Sequence, residues 1–263
     1  MSQEKECINC GNISSGNFCV ECGQKKQVER ITLTSLFNQY LGRLIGLDTK
    51  FLRTLKDLTI SPGIVGQSYI QGNRVRYIEP VGYFIIFTTL FLLSFSIFGV
   101  EIEEYMRSNA NSFLTAQQQT ADQTEFQELM FETMSKNMRL LNFLSVPFFG
   151  LVSLWFYRKS NYNFLEHLVN VFYLHGHLSI FSIISVIILR FTGYQTIGYI
   201  AFISTLYYAW GVVKFYEKKG ILQWIKAIVL YMIAMLLFII TLMILTSIVL
   251  FVYVKFFNHD FLG

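Results

Sequence analysis

Charge is the scarcest commodity in this chain: 14% of its 263 residues are Asp, Glu, Lys or Arg, where a soluble domain carries about 25%. That deficit, beside 53% apolar residues, points to the membrane class. With 3 Pro and 17 Gly, collagen-like and low-complexity chains are excluded. Disorder requires low hydrophobicity and high net charge, which 26 Phe and 15 Tyr rule out. No GxSxG, P-loop or GxGxxG pattern occurs, so a nucleophile-elbow or nucleotide-binding enzyme has no support. Met1–Cys7 is polar and lacks the apolar core of a signal peptide, so no cleaved export signal is expected. A net charge of +4 is too mild to argue for a nucleic-acid partner.

Cysteine is rare but concentrated. The 4 cysteines fall as Cys7-Ile-Asn-Cys10-Gly and Cys19-Val-Glu-Cys22-Gly. Two CxxC turns offer four thiolates to a tetrahedral Zn²⁺, a coordinatively closed and therefore structural site. The turn-rich spacer Gly11–Phe18 suits a small hairpin between the half-sites. Residues 1–27 thus read as a zinc ribbon whose folding energy comes from the metal. The competing reading, two disulfides, needs an oxidising compartment. A redox dithiol fits paired CxxC motifs less well.

Residues 28–80 read as amphipathic juxtamembrane helices. Leu33, Leu36, Phe37, Tyr40, Leu41, Leu44 and Leu47 form one apolar stripe, and Phe51, Leu52, Leu55 and Leu58 a second. Ser61-Pro62 looks like the N-cap and first position of a third short helix ending near Gly72. Basic polar faces before a span suit the headgroup interface, with Arg74 and Arg76 touching acidic lipids. A small soluble helical bundle packed on the membrane domain is the alternative.

Residues 81–263 hold five apolar runs, near 81–100, 140–157, 168–189, 197–213 and 227–254, each long enough to span. The expected fold class is therefore an all-α integral membrane protein of about five transmembrane helices. Pro147 predicts a kink in the second. Assigning alternate connections to opposite sides puts 16 Lys and Arg on the N-terminal side and 5 on the other. The positive-inside rule then places the N-terminus in the cytosol and the C-terminus outside. An outer loop, 101–139, carries seven carboxylates. Trp155, Trp210 and Trp224 fall at the cytosolic ends of spans, as an aromatic belt would.

The third run opens on a polar cluster: Glu166, His167, Asn170, Tyr173, His175 and His177. At about 100° per residue Glu166, Asn170, Tyr173 and His177 share one face, with His175 opposite and His167 to one side. Such a row could carry protons, bind an ion or support catalysis. It could equally be interhelical hydrogen bonding, with Glu166 at the interface. His175 and His177 diverge too far on a helix to chelate one ion.

The segments CINCG…NFCVECGQ, FLRTLKDLTISPG, QGNRVRYIEP and EHLVNVFYLHGH resemble a family of bacterial multi-span inner-membrane proteins with an N-terminal zinc ribbon. The resemblance implies an inner-membrane location and offers no catalytic residue to carry over. Some small multi-span proteins of this general type sit beside phage-defence nucleases as membrane effectors, so the resemblance implies a defence association. Three functions are open at this point. The first is a non-enzymatic, oligomeric pore or effector with membrane lipids and its own copies as partners. The second is a lipid- or cofactor-modifying enzyme using Glu166 and His177. The third is an adaptor whose ribbon recruits a cytosolic protein. Nucleic acid is disfavoured, since Cys7–Gln24 contains neither Arg nor Lys.

Overall fold

The computed structural model describes residues 5–6, 11–14, 18–21, 49–74, 76–106 and 132–257. Two compact units divide at residues 48 and 49. In the first, β1 (Lys5–Glu6) pairs antiparallel with β2 (Ile13–Ser14), Lys5 opposite Ser14 and Glu6 opposite Ile13. β1 precedes the first CxxC in sequence, and β2 lies in the expected spacer. Gly11, at φ 72, occupies the left-handed region that favours glycine. Cys19 is buried. Cys7, Cys10, Cys22 and the stripe from Leu33 to Leu47 lie outside the described residues.

The second unit is helical: α1 (Thr49–Ile60), α2 (Ile64–Ile70), α3 (Pro80–Phe98), α4 (Met138–Phe156), α5 (Phe164–Thr192), α6 (Ile197–Phe215) and α7 (Ile221–Phe257). Among the described residues four helices are long and apolar enough to cross a membrane: α3, α4, α5 and α7 through Thr246. These mark a membrane protein. α6 matches α3 and α4 in length, but Tyr199, Tyr207, Tyr208, Trp210 and Lys214 dilute its apolar character. α4 runs unbroken through Pro147.

α5 is the axis of the unit. Its 29 residues extend roughly 43 Å. Asn163 caps its start, and Gly193, in left-handed conformation, ends it by donating its N–H to Leu189 O. α3 lies parallel to its second half. Tyr83 meets His177 near one end, and Phe98 meets Phe191 at the other with ring centroids 6.2 Å apart. The two helices touch closely because Gly176 has no side chain: a Cβ there would sit 2.8 Å from the Tyr83 ring. Small residues serve this purpose wherever membrane helices cross.

Because α3 begins beside Tyr173, the first turns of α5 need another cover on that side, and α1–α2 supply it. Phe51 of α1 stacks on Phe87 of α3 at 5.7 Å. Gly66 of α2 faces Asn170 of α5 and the Phe215 ring of α6. These two helices therefore pack with the bundle and form no separate layer from it. The turn between them differs from the sequence expectation. α2 starts at Ile64 with Gly63 as its N-cap at φ 89, and Ser61 and Pro62 precede the helix. Ser61 N still bonds Asp57 O at 2.8 Å, extending α1 by one bond before the reversal.

Candidate functional site

Glu166 and His177, the pair an acid–base reading requires, are occupied separately. Glu166 is the third residue of α5. Its carboxylate accepts from Asn163 N at 2.7 Å while Asn163 Oδ1 accepts from Glu166 N at 3.0 Å, a reciprocal capping box. His177 lies eleven residues on, about 16 Å along the axis. The shared face expected from the sequence exists for Asn170, Tyr173 and His177, which are all buried. It looks onto α1, α2 and the start of α3.

The hydrogen bonds around His177 assign its tautomer. Thr59 Oγ1 donates to Leu55 O at 2.8 Å, which uses its only proton. Toward His177 Nε2, 3.3 Å away, that oxygen can only accept, so Nε2 carries the hydrogen. Nδ1 is then the acceptor, and the Tyr83 hydroxyl donates to it at 2.9 Å. One ring face stacks on Tyr207 at 5.0 Å and 16°. Tyr83 OH to His177 to Thr59 to Leu55 O is thus a one-way chain that terminates on a helix carbonyl. The imidazole has no open edge for a substrate.

The neighbouring contacts follow the same logic. At the last turn of α1 the Leu58 carbonyl has no helical partner, and Tyr207 OH donates to it at 3.1 Å. At the last turn of α6 the Phe215 carbonyl is equally open, and the Gln67 amide of α2 donates to it at 2.8 Å. The end of α1 is closed by a side chain of α6, and the end of α6 by a side chain of α2. Ile78, in the extended approach to α3, receives both partners from side chains: its N–H goes to Thr54 Oγ1 at 3.1 Å and its carbonyl accepts from Tyr173 OH. Polar backbone in an apolar bundle requires such partners. Asp57 accepts from Tyr77 OH at 2.9 Å and lies 3.6 Å from Arg76. Burial, and then the Asp57 hydrogen bond, push the Tyr77 hydroxyl above its ordinary value.

The remaining candidates point elsewhere. His167 shares a hydrogen bond between Nδ1 and Tyr216 OH. His175 is turned to the opposite side, 4.4 Å edge-on to Phe149 of α4, with Nδ1 toward Val171 O. His175 and His177 therefore diverge, as two residues' separation on a helix demands. Arg74 and Arg76 are exposed, lying over the Tyr69 and Tyr77 rings at 5.8 and 5.4 Å. Among the described residues no group of three His, Cys, Asp or Glu is arranged to hold a metal. Sequence reasoning missed Thr54, Thr59, Gln67, Tyr83 and Tyr207. For Thr54 and Tyr83 the available signal was a polar group on the buried stripe of α1 and of α3.

A family model described as a protein of unknown function, DUF3667, matches residues 48–92. That stretch contains α1, α2 and most of α3. It therefore supplies Leu58, Thr59, Gln67, Ile78 and Tyr83, one side of each hydrogen bond just described to α5 and α6 from the helices before them. No curated protein and no solved structure matches the chain.

Proposed function

We propose that the chain is a non-enzymatic integral protein of the bacterial inner membrane, with a cytosolic zinc ribbon coupled to a five-span helical bundle. The observation that carries this reading is the occupancy of His177. Both nitrogens and one face are committed to Tyr83, Thr59 and Tyr207, and Glu166 is committed to Asn163. Polar groups spent on joining three helices to one another suit a coupling element better than a catalytic pair.

The fifth span in this reading is α6. It contacts α5 at Ser185 through Thr196, 3.0 Å, and again at His167 through Tyr216. Those contacts are 18 residues apart on α5, about 27 Å, close to the thickness of a hydrocarbon core. The Lys and Arg distribution supports a cytosolic N-terminus, and the two CxxC pairs support Zn²⁺ at Cys7, Cys10, Cys19 and Cys22. The bundle works as an oligomeric pore or effector unit. α7 exposes Met232, Leu236 and Met243 and leaves ample apolar surface for lipid or for further copies.

Purification of the full chain in nanodiscs, with metal analysis, native mass and bilayer recording, tests the reading. One zinc per chain, lost in a Cys7→Ser/Cys19→Ser variant, and a conducting multimer are expected. A zinc-free monomer with silent bilayers overturns it. Lipid or cofactor turnover abolished by His177→Ala and Glu166→Gln would return the enzyme reading.

A further inference from the structure

Where α4 gives way to α5 and α6 to α7, the two connections line an open cavity of about 1050 Å³. Four of its lining side chains are cationic, Arg158, Lys159, Lys218 and Lys226, and among the described residues Glu217 is the one carboxylate in the lining. Arg158, Lys159 and Lys218 are exposed, and Lys226 is half-buried. Lys226 Nζ rests 4.4 Å from the centroid of the Tyr157 ring, which itself stacks on Tyr216 at 3.7 Å and 7°. The aromatic pair fixes one ammonium on the floor of the cavity. The first turn of α7 adds the positive end of a 37-residue helix and contains no acidic residue to offset it.

Uncompensated hydrogen-bonding capacity converges on the same place. The Tyr157 side chain is 4% exposed, lines the cavity, and its hydroxyl has no hydrogen-bond partner. Ser160 Oγ and Gln223 Oε1, also in the lining, are buried and unpartnered too. Leaving such a group unpaired is destabilising, and a ligand that accepts from it removes that cost. Burial pushes the Tyr157 hydroxyl up to about 12, so near neutral pH it keeps its proton and can donate.

We propose that this cavity binds a phosphate-bearing anion, with Lys226 and Arg158 facing its charge and the Tyr157 hydroxyl donating to one of its oxygens. A multi-oxygen anion carrying two or more charges matches an excess of three cations better than a single carboxylate does. The volume exceeds that of inorganic phosphate and lies near the upper range of small-molecule pockets, about 300–1,000 Å³. The ligand therefore has an organic part, for which Trp155 and Phe215 provide apolar wall. Two sources share this chemistry: the headgroup of an anionic phospholipid, or a soluble phosphate ester. The inference holds whichever side of the membrane this end faces.

The test uses the full chain in phosphatidylcholine nanodiscs, titrated calorimetrically with pyrophosphate, and in phosphatidylglycerol nanodiscs examined for retained lipid by native mass spectrometry. Pyrophosphate should bind, and the double variant Lys226→Gln/Arg158→Gln, which removes two charge-assisted contacts, should weaken it by at least about tenfold. Tyr157→Phe should weaken binding several-fold while the ligand-free melting temperature stays level or rises, because an unpaired buried hydroxyl is removed. Lys218→Gln, at an exposed position, tests the charge without disturbing the floor. A lipid source is indicated when phosphatidylglycerol is retained and blocks pyrophosphate; a soluble source when pyrophosphate binds equally in both lipids. Absence of both pyrophosphate binding and variant-sensitive lipid retention overturns the proposal, as do variants that bind like the parent.

Discussion

At the level of single residues, His177 shows how a polar group at membrane depth acquires a purpose from its neighbours. Its tautomer follows from one proton on Thr59, already given to Leu55 O. Tyr83→Phe keeps the ring contacts with Phe87 and Tyr173 but removes the proton donated to Nδ1. The bare nitrogen should cost on the order of 1–3 kcal/mol, read as a lower melting temperature in detergent. Thr59→Val should cost less alone, since its bond is longer and lies at an exposed edge. The double variant should fall short of the sum, because both bonds hold the same ring. Strict additivity would mean His177 is no junction. The face carrying Asn170, Tyr173 and His177 was legible in the sequence, since helical periodicity alone sets it. Its partners were not. Thr59 and Tyr207 look like ordinary helix residues until α1 is brought against α6, and that is a tertiary event. Glu166 was half legible: an Asn three residues before a Glu at a helix start is itself a capping pattern.

Among the elements, the α1–α2 strap depends on a turn with almost no free space. Gly63 sits at φ 89, where an L side chain is strained, and a Cβ there would lie 2.2 Å from Gly211 O and 2.6 Å from Phe215 N of α6. Neither neighbour is the movable end of a side chain. Gly63→Ala should therefore lift α2 off α6, breaking the Gln67 bond to Phe215 O and destabilising the bundle by more than about 3 kcal/mol. Gly198→Ala, in the first turn of α6 with nothing near its added Cβ, should be neutral or stabilise by a few tenths of a kcal/mol. Comparable losses from both would mean that the close approach of strap and α6 does not matter. The helices themselves were legible: the apolar runs foretold α3 through α6 to within four residues, α7 begins six residues before its run, and Phe51 to Leu58 marked α1. What periodicity could not reveal is that the exposed positions of α1, Leu52 and Ile60 among them, sit on a helix whose other face is committed to protein. A stripe shows that a face is buried, and leaves open whether lipid or another helix buries it.

For the molecule as a whole, the decisive question is whether α6 crosses the membrane. Composition alone argues weakly, because Tyr, Trp and Lys residues dilute its apolar run. Packing argues more strongly. Tyr157, just past α4, stacks on Tyr216, just past α6, while Tyr216 also meets His167 near the start of α5. The ends of α4 and α6 thus share one level with the beginning of α5, and Thr196 marks the other level beside Ser185. The charge count in the sequence could assign the 158–163 and 216–220 connections to one side, but not bring them together. Their proximity gathers Arg158, Lys159, Lys218 and Lys226 around a single cavity. Cysteines introduced at Tyr194, Lys159 and Lys219, treated with a membrane-impermeant maleimide in intact spheroplasts and mapped by peptide, read the crossing directly. The four native cysteines, all within the first 22 residues, are then scored separately. Five spans require Tyr194→Cys to react at once, and Lys159→Cys and Lys219→Cys to react only after permeabilisation. If α6 stays on one side, Lys219→Cys must label together with Tyr194→Cys, and the cavity's two basic connections could not meet as they do. The same pair of sites thus decides the span count and the integrity of the anion cavity.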